Sequence, residues 1–472
     1  MTKPHPVSFN HPAYTASVKK WQRCRDTAEG SDAVKAAGDT YLPRLGSHRG
    51  FDGATKYEAY KKRALYFNAM QRTIRGLAGA AAAKDPSITS SNEEYAKVVV
   101  NMLRESCINE QLTVARVAIV VNLVKGSTMP TPTIWKTESV VNWKYERRDD
   151  SNYLTLLVLE EHASVDGDSI FEVKTETRRH VYRMLNGVCV YEMFVCNNDG
   201  TWALAIQPYP LAGVGRLLDH IPAIILGATG VDQDSVEEPL LLDLADVNIS
   251  HYMNSADLEH GRHWTALPTA YAAGFPMVDR NGNPVEFSVG GESAWMTENT
   301  GATAGYLEFT GAGLGHLAQG MKDKQAMMAV LGARLLEEAK PAVEAADTIR
   351  MRLAGERSVL GNVVNASSQA MTWTLHEMIW WTNPLYEDPD DDDIITLNAD
   401  FVDTKLTPSD LTALTAALQA NGISYQTYFY CLKRGEIIPA ERTIEEESSL
   451  IDAGRPGAPE PFANSGFGGF SG

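Results

Sequence analysis

From about Val343 to Thr382 the chain contains no proline, while Ile349, Leu353, Leu360, Val364, Met371 and Met378 keep an apolar stripe at helical spacing. As one helix, residues 344–382 would span roughly 58 Å, well beyond the width of a small domain. Whatever this chain folds into must therefore be arranged around a rod. Two further rods are expected. Leu241, Ala245, Ile249, Tyr252 and Ala256 recur at helical spacing through PLLLDLADVNISHYMNSADLEHGRHW, which Pro268 ends. Leu314, Leu317, Met321, Met328, Leu331 and Leu335 mark the other, with Lys324 interrupting the stripe and Pro341 breaking it. Between these two rods, residues 268–308 return to short strand-like pieces around the turn Asp279-Arg280-Asn281-Gly282-Asn283, which predicts a small β module.

The preceding half has a different texture. Residues 13–38 and 54–83 are rich in Ala, Lys, Arg and Tyr without internal proline and predict two opening helical segments, separated by Pro43, Gly46, Gly50 and Gly53. From about 112 to 226, runs such as LTVARVAIVVN, SVVNWKY, NYLTLLVLE, CVYEMFVC and TWALAIQ predict strands, with turns at Asp166-Gly167-Asp168 and Asn197-Asn198-Asp199-Gly200. Past the acidic run 387–393 and a short strand, ITLNADF, a small helical unit follows from Thr407 to about Ile451. Asn421-Gly422 should end one of its helices and Ser424 cap the next. The ending GRPGAPEPFANSGFGGFSG is too poor in aliphatic side chains to pack. The fold class expected is α+β, in several units, for 472 residues.

Composition bears mainly on partners. With 42 Lys plus Arg against 60 Asp plus Glu, the formal charge is -18, which argues against gripping nucleic acid by phosphate neutralisation. The opening MTKPHPVSFNHPAY has no signal-like core, and no run is long and apolar enough to predict a membrane span. Cys24, Cys107, Cys189, Cys196 and Cys431 lie scattered without metal-ligand spacing and are expected as buried free thiols. Residues 51–84 are basic through Lys56, Lys61, Lys62, Arg63, Arg72, Arg75 and Lys84; an outer helix face or subunit contact explains them better than nucleic acid.

Signals for chemistry fail one by one. No Gly-Lys dipeptide occurs, so a P-loop is excluded. Gly311-Ala-Gly313-Leu-Gly315 lacks the third glycine of a dinucleotide loop, and Gly291-Glu-Ser293-Ala-Trp295 lacks the closing glycine of a nucleophile elbow. Asp388 and Asp390 to Asp393 lack the glycine and glutamate of a calcium loop. His251, His260 and His263 on or beside one helix, with Glu259, raise a metal site, but no second ligand cluster supports it and packed histidines are preferred. No catalytic residue, metal or cofactor is expected.

The order of these segments resembles a tailed-bacteriophage portal protein, of a branch catalogued only as a domain of unknown function. The likeness rests on YKKRALYFNAMQRTIRGLAG, TESVVNWKY, EEPLLLDLADVNISHYMNSADLEHGRHW, the pair GESAW and GYLEFTGAGLGHL, and ITLNADF with NGISYQTYFYCLKRGEI, spread over residues 10–450. The resemblance implies a portal fold: N-terminal helices and wing over 1–237, a first stem helix at 238–265, a clip at 266–308 and a second stem helix at 309–336. A tunnel loop at 337–343, a long wing helix at 344–386, a crown at 387–453 and a flexible tail at 454–472 would follow. It implies Glu337, Glu338, Lys340, Pro341 and Glu344 as DNA-facing tunnel-loop residues, and Asp279, Arg280, Asn281, Gly282 and Asn283 as the clip tip. Such proteins form homo-oligomeric rings, usually of twelve, at one vertex of the virion after assembly in the host cytoplasm. Their partners are the major capsid protein, the terminase large subunit, a head-completion or adaptor protein, and the double-stranded DNA passing through the channel. Two rival readings are a soluble α+β enzyme working through His260 and the Gly313 region, and a minor virion connector without a through-channel.

Overall fold

The computed structural model describes residues 5–123, 129–148, 151–167, 169, 171–213, 215–267, 269–278, 295–307, 311–333, 359–383, 393–399, 408–420, 422–434, 437–438 and 442–453. The fold is α+β, and the chain divides into two compact units, residues 1–399 and 400–472.

The first unit opens with helices α1 (Pro12–Glu29), α2 (Ser31–Ala36), α3 (Gly53–Arg63) and α4 (Ala69–Ala81). Each of the two expected helical segments is thus split. Gly30 at φ +115° stops α1, a backbone conformation that only glycine adopts cheaply. Asn68 restarts the chain as α4 by accepting a hydrogen bond from Gln71 N at 3.0 Å. Strand β1 (Ser87–Thr89) leads into α5 (Glu93–Val114), a helix buried along one face and at its C-terminal turn, which the sequence reading did not contain. Leu112–Val114, read as the start of a strand, are its last turn. Ala115, left-handed at φ +60°, closes the helix by donating from its amide to Gln111 O, and only then does the strand begin.

Strands β2 (Arg116–Asn122), β3 (Thr131–Lys136) and β11 (Ala223–Gly227) form an antiparallel sheet in the order β11-β2-β3. β2 is buried along nearly its whole length, which explains why it reads as a continuous apolar run. Helix α5 and helix α8 (Val359–Thr382) pack on this sheet and on each other. Buried Gln111 joins all three: its amide donates to Gly227 O at 2.6 Å and its carbonyl accepts from Ser367 Oγ at 2.5 Å. The expected long helix is described only as α8; residues 344–358 lie outside the described residues.

A second antiparallel sheet runs β4-β5-β6-β7-β8, from Val140–Arg148, Ser151–Asp166, Val173–Leu185 and Val188–Cys196 to Trp202–Pro210. β6 went unread because KTETRRHVYRML is dense in charge; in the sheet its cations are matched across strands. Arg179 meets Glu160 at 2.9 Å and Arg183 meets Glu192 at 2.9 Å, while the His180 ring hydrogen-bonds Glu161 at 3.0 Å. Short strands β9 (Ala212–Gly213) and β10 (Arg216–Leu217) lead back to β11. Arg216 stacks on Trp380 of α8 at 3.9 Å.

From β11 the chain passes into α6 (Leu242–Ala266), a ribbon of β12 (Thr269–Ala273) and β13 (Thr303–Leu307), and α7 (Leu314–Ala333). Beyond α8, β14 (Ile394–Thr396) pairs with β1, so this strand belongs to the first unit. The second unit holds α9 (Pro408–Gln419), α10 (Tyr425–Arg434) and α11 (Ile444–Ala453), with Phe429, Leu432 and Ile438 as its core. Ser424 caps α10 as expected, accepting from Thr427 N at 3.1 Å, and Thr443 with Glu446 forms a capping box on α11. The five cysteines are free; Cys24, Cys107 and Cys189 are buried, whereas Cys196 and Cys431 are only half-buried.

Candidate functional site: the α6–α7 hairpin and its ribbon

Helix α6 is rooted in the first unit by its N-terminal half. Ile249, Tyr252 and Ala256 complete an aromatic cluster with Tyr41, Leu42, Tyr57 and Tyr60. Polar bonds fix the docking: Tyr60 donates to Asp257 Oδ1 at 2.6 Å, and Leu65 N donates to Ser255 Oγ at 2.9 Å. The last buried residue of α6 is Leu258; beyond it the helix continues for eight residues.

α7 returns antiparallel along α6. Lys324 Nζ donates to Ser250 O at 3.1 Å and to Ser250 Oγ at 2.7 Å, and Gln325 lies 3.3 Å from His251 Nε2. Nearer the ribbon, a Cβ on Gly261 would sit 2.4 Å from Leu314 Cδ2, and one on Gly311 would sit 3.3 Å from Thr265. Lys324, read as a flaw in the apolar stripe, is therefore the polar tie between the two helices, and burial lowers its pKa. The overlooked signal was Gly261: a glycine inside a helix costs about 1 kcal/mol against Ala and suggests a close neighbour.

What the hairpin exposes is more telling than what it buries. Of α7, Met328 is buried, while Met327 and Val330 are open to solvent. On the other side of the ribbon Trp264 and Leu267 are open, and within it Tyr271, Tyr306 and Leu307. Met277 and Met296, flanking the turn, are 78% and 86% exposed. Ten of the twenty-five exposed large hydrophobic side chains among the described residues fall between 264 and 330. A two-stranded ribbon is marginal in water on its own, and concentrated apolar exposure marks a surface made to be covered.

The histidines of α6 are packing groups. His260 Nε2 accepts from Trp264 Nε1 at 3.1 Å, and its ring lies edge-on to Tyr60. His251 Nε2 faces the Gln325 amide, and its ring tilts against Phe67. In both, burial lowers the pKa. Nε2 of His251 and of His260 thus each have a partner, His263 packs edge-on to Trp264, and among the described residues no group of three His, Cys, Asp or Glu side chains could hold an ion. Burial pushes the thiols of Cys24, Cys107 and Cys189 up to about 12, away from thiolate chemistry. Gly311 to Gly315 make the turn into α7, with Leu314 N donating to Gly311 O. The tunnel-loop residues Glu337, Glu338, Lys340, Pro341 and Glu344 lie outside the described residues, as do the clip-tip residues Asp279, Arg280, Asn281, Gly282 and Asn283. Of the basic stretch, Lys61 pairs with Glu58 and Arg72 lies over Phe67. No helix among the described residues is long and apolar enough to cross a membrane.

A family model described as a domain of unknown function, DUF4055, matches residues 239–382, which run from α6 through the ribbon and α7 to the end of α8. No curated protein matches. Among solved structures, the chain is similar to one from the neck of a native gene transfer agent particle computed with C12 symmetry, at 10% identity and TM-score 0.37, over 84% of this chain and 98% of that one. It is also similar to one from the neck of the empty particle computed with C6 symmetry, at 11% identity and TM-score 0.35, over 83% and 97%. A chain from the virion of the native particle matches at 10% identity and TM-score 0.34, over 84% and 98%.

Proposed function

We propose that this chain is the portal subunit of a tailed-phage-type virion. Copies close into a ring at one capsid vertex, double-stranded DNA passes through the hole, and the outer surface receives the terminase large subunit and later a head-completion protein. The carrying observation is the α6–α7 hairpin, whose ribbon, distal end and outer face of α7 present apolar side chains that the subunit leaves open. It lies in the segment that the resemblance reads as stem and clip and that the family match covers. A closed ring needs two different faces of each subunit to mate, and two antiparallel helices open on more than one side supply such faces. An acidic chain suits a wall along which a polyanion must slide, since tight phosphate binding would stall it. In this reading 337–343 faces the DNA, 279–283 forms the clip tip, and the chain performs no catalysis of its own.

Native mass spectrometry and negative-stain imaging of the purified full chain test the proposal. A ring with a central hole is expected. A monomer across salt and protein concentration overturns it, and a closed assembly without a hole favours a connector of another kind.

A further inference from the structure

Three histidines at the root of the hairpin are wired alike. His48, in the turn Gly46–His48 ahead of α3, is 3% exposed; its Nδ1 accepts from Leu45 N at 3.1 Å, and its Nε2 is buried without a partner. His260 of α6 accepts at Nε2 from Trp264 Nε1 at 3.1 Å, and its Nδ1 is buried without a partner. His251, 2% exposed, has its Nε2 3.3 Å from the Gln325 amide nitrogen and again a buried, unpartnered Nδ1. In each ring the one nitrogen with a partner faces an N–H group. The neutral ring fits such a site; the protonated ring, which donates from both nitrogens, does not.

The three rings also sit where α6 is docked. His48 and His260 lie 6.3 Å apart and edge-on, with the Tyr60 ring 5.0 Å from the first and 5.3 Å from the second. Tyr60 itself holds α6 through Asp257 at 2.6 Å. His251 lies between Gln325 of α7 and the ring of Phe67. Cations predominate among the charged groups that face these rings: Arg44 and Lys56 toward His48, Arg63 and the rings of His48 and His263 toward His260, and Lys324 toward His251. Burial first, and these groups after it, hold all three rings below the usual histidine range. Asp257 acts the other way on His260, but its carboxylate is engaged by Tyr60, and Asp39 is taken up by Arg44 at 2.9 Å.

We propose that this joint is an acid release: in mild acid the three histidines take up protons, the N–H groups that they accept from lose their acceptor, and α6 loosens on α3 and α7. The sign follows from linkage. A histidine buried neutral contributes stability that is complete above the unfolded value of about 6.5 and is lost as pH falls through the lower folded value. Helix α5 and strand β2 contain no histidine and should stay closed over the same range. The inference does not rest on the portal reading, because the joint lies within one subunit.

The test follows main-chain hydrogen exchange of the full chain from about pH 7.5 to about pH 5, corrected for the intrinsic pH dependence of exchange. Protection in α3 and in α6 is expected to fall at least about tenfold relative to α5 and β2. His48→Asn with His260→Gln keeps both acceptors and cannot be protonated, so most of that fall should disappear. Exchange at the imidazole C2–H reads the titration of each ring in the unaltered chain, and so decides even if the double variant does not fold; His48 and His260 are expected to titrate below about 6.5. No selective fall in protection, a fall that the double variant retains in full, or titration of both rings at or above about 6.5 overturns the proposal.

Discussion

The sheet β4–β8 and the hairpin α6–α7 are both long, and they satisfy their side chains in opposite ways. The interior of the sheet is closed on itself: cations of β6 meet carboxylates of β5 and β7, and Arg179 also donates to Asn10 Oδ1 at 2.9 Å in the N-terminal segment crossing the sheet. The hairpin is closed where α6 docks on the first unit, but Met327 and Val330 of α7 are open, and so are Trp264, Leu267 and the apolar side chains of the ribbon. The contrast teaches where free energy is settled within one chain: for most of the sheet it is, whereas the hairpin leaves apolar surface that its own chain does not cover.

The sharpest way to break this comparison is to place charge on the open surface. Leu307→Asp with Met327→Asp is expected to abolish assembly in native mass spectrometry while leaving the thermal unfolding of the isolated subunit within about 0.5 kcal/mol, as for ordinary surface changes. A large loss of subunit stability would mean that the hairpin packs within its own chain. The next effect concerns His220, in the segment before β11. Its Nε2 donates to Glu377 of α8 and its Nδ1 to Asp219, each at 2.8 Å. Burial alone would lower its pKa, but the two carboxylates reverse this and raise it to about 9. The folded value lies above the unfolded 6.5, so this stability is complete below about pH 6.5 and lost as pH rises through 9. The loss should be of order 3 kcal/mol. His220→Gln should flatten that alkaline limb in melts between pH 6 and 10, and an unchanged limb refutes the pairing.

Smaller effects sharpen the contrast. A Cβ on Gly53 would sit 2.2 Å from the His48 carbonyl oxygen, so Gly53→Ala should cost about 2 kcal/mol in denaturant unfolding by forcing the backbone under the hairpin's root to move. Asp232 accepts from Ile225 N at 2.9 Å and Tyr145 OH at 3.0 Å, and burial raises its carboxyl to about 6. A carboxyl raised in this way contributes stability at low pH that fades as pH rises through 6. Asn keeps both acceptor bonds and tolerates the left-handed backbone at φ +48°. Asp232→Asn should therefore melt about 1 kcal/mol higher at pH 8 and no higher at pH 4. Lys324→Ala should cost about 1 kcal/mol and speed hydrogen exchange along α7 more than in the sheet. Equal effects in both regions would show that the hairpin is not a separate stability unit.

The rods Leu242–Ala266 and Leu314–Ala333 were legible because an amphipathic helix writes its own period into the sequence, and most strands of the five-stranded sheet were legible for the matching reason. α5 was not, because its end runs into β2 as one apolar stretch in which helix and strand look alike, and the boundary rests on the left-handed turn at Ala115. β6 was hidden by charge whose partners lie on other strands. The histidines of α6 could be weighed as ligands from spacing alone; the hydrogen bonds of His260 and His251 to Trp264 and Gln325 show what their Nε2 atoms face.

By itself the sequence determined local periodicity, the acidic balance and the absence of the motifs for nucleotide, calcium or nucleophile chemistry, because each is a property of neighbours along the chain. Only the tertiary structure decided that Lys324 ties two helices together, that the charges of β6 are neutralised, and that the hairpin's apolar side chains remain open. These depend on which groups distant in sequence come within a few ångströms, where desolvation and pairing are settled, and no periodicity encodes that.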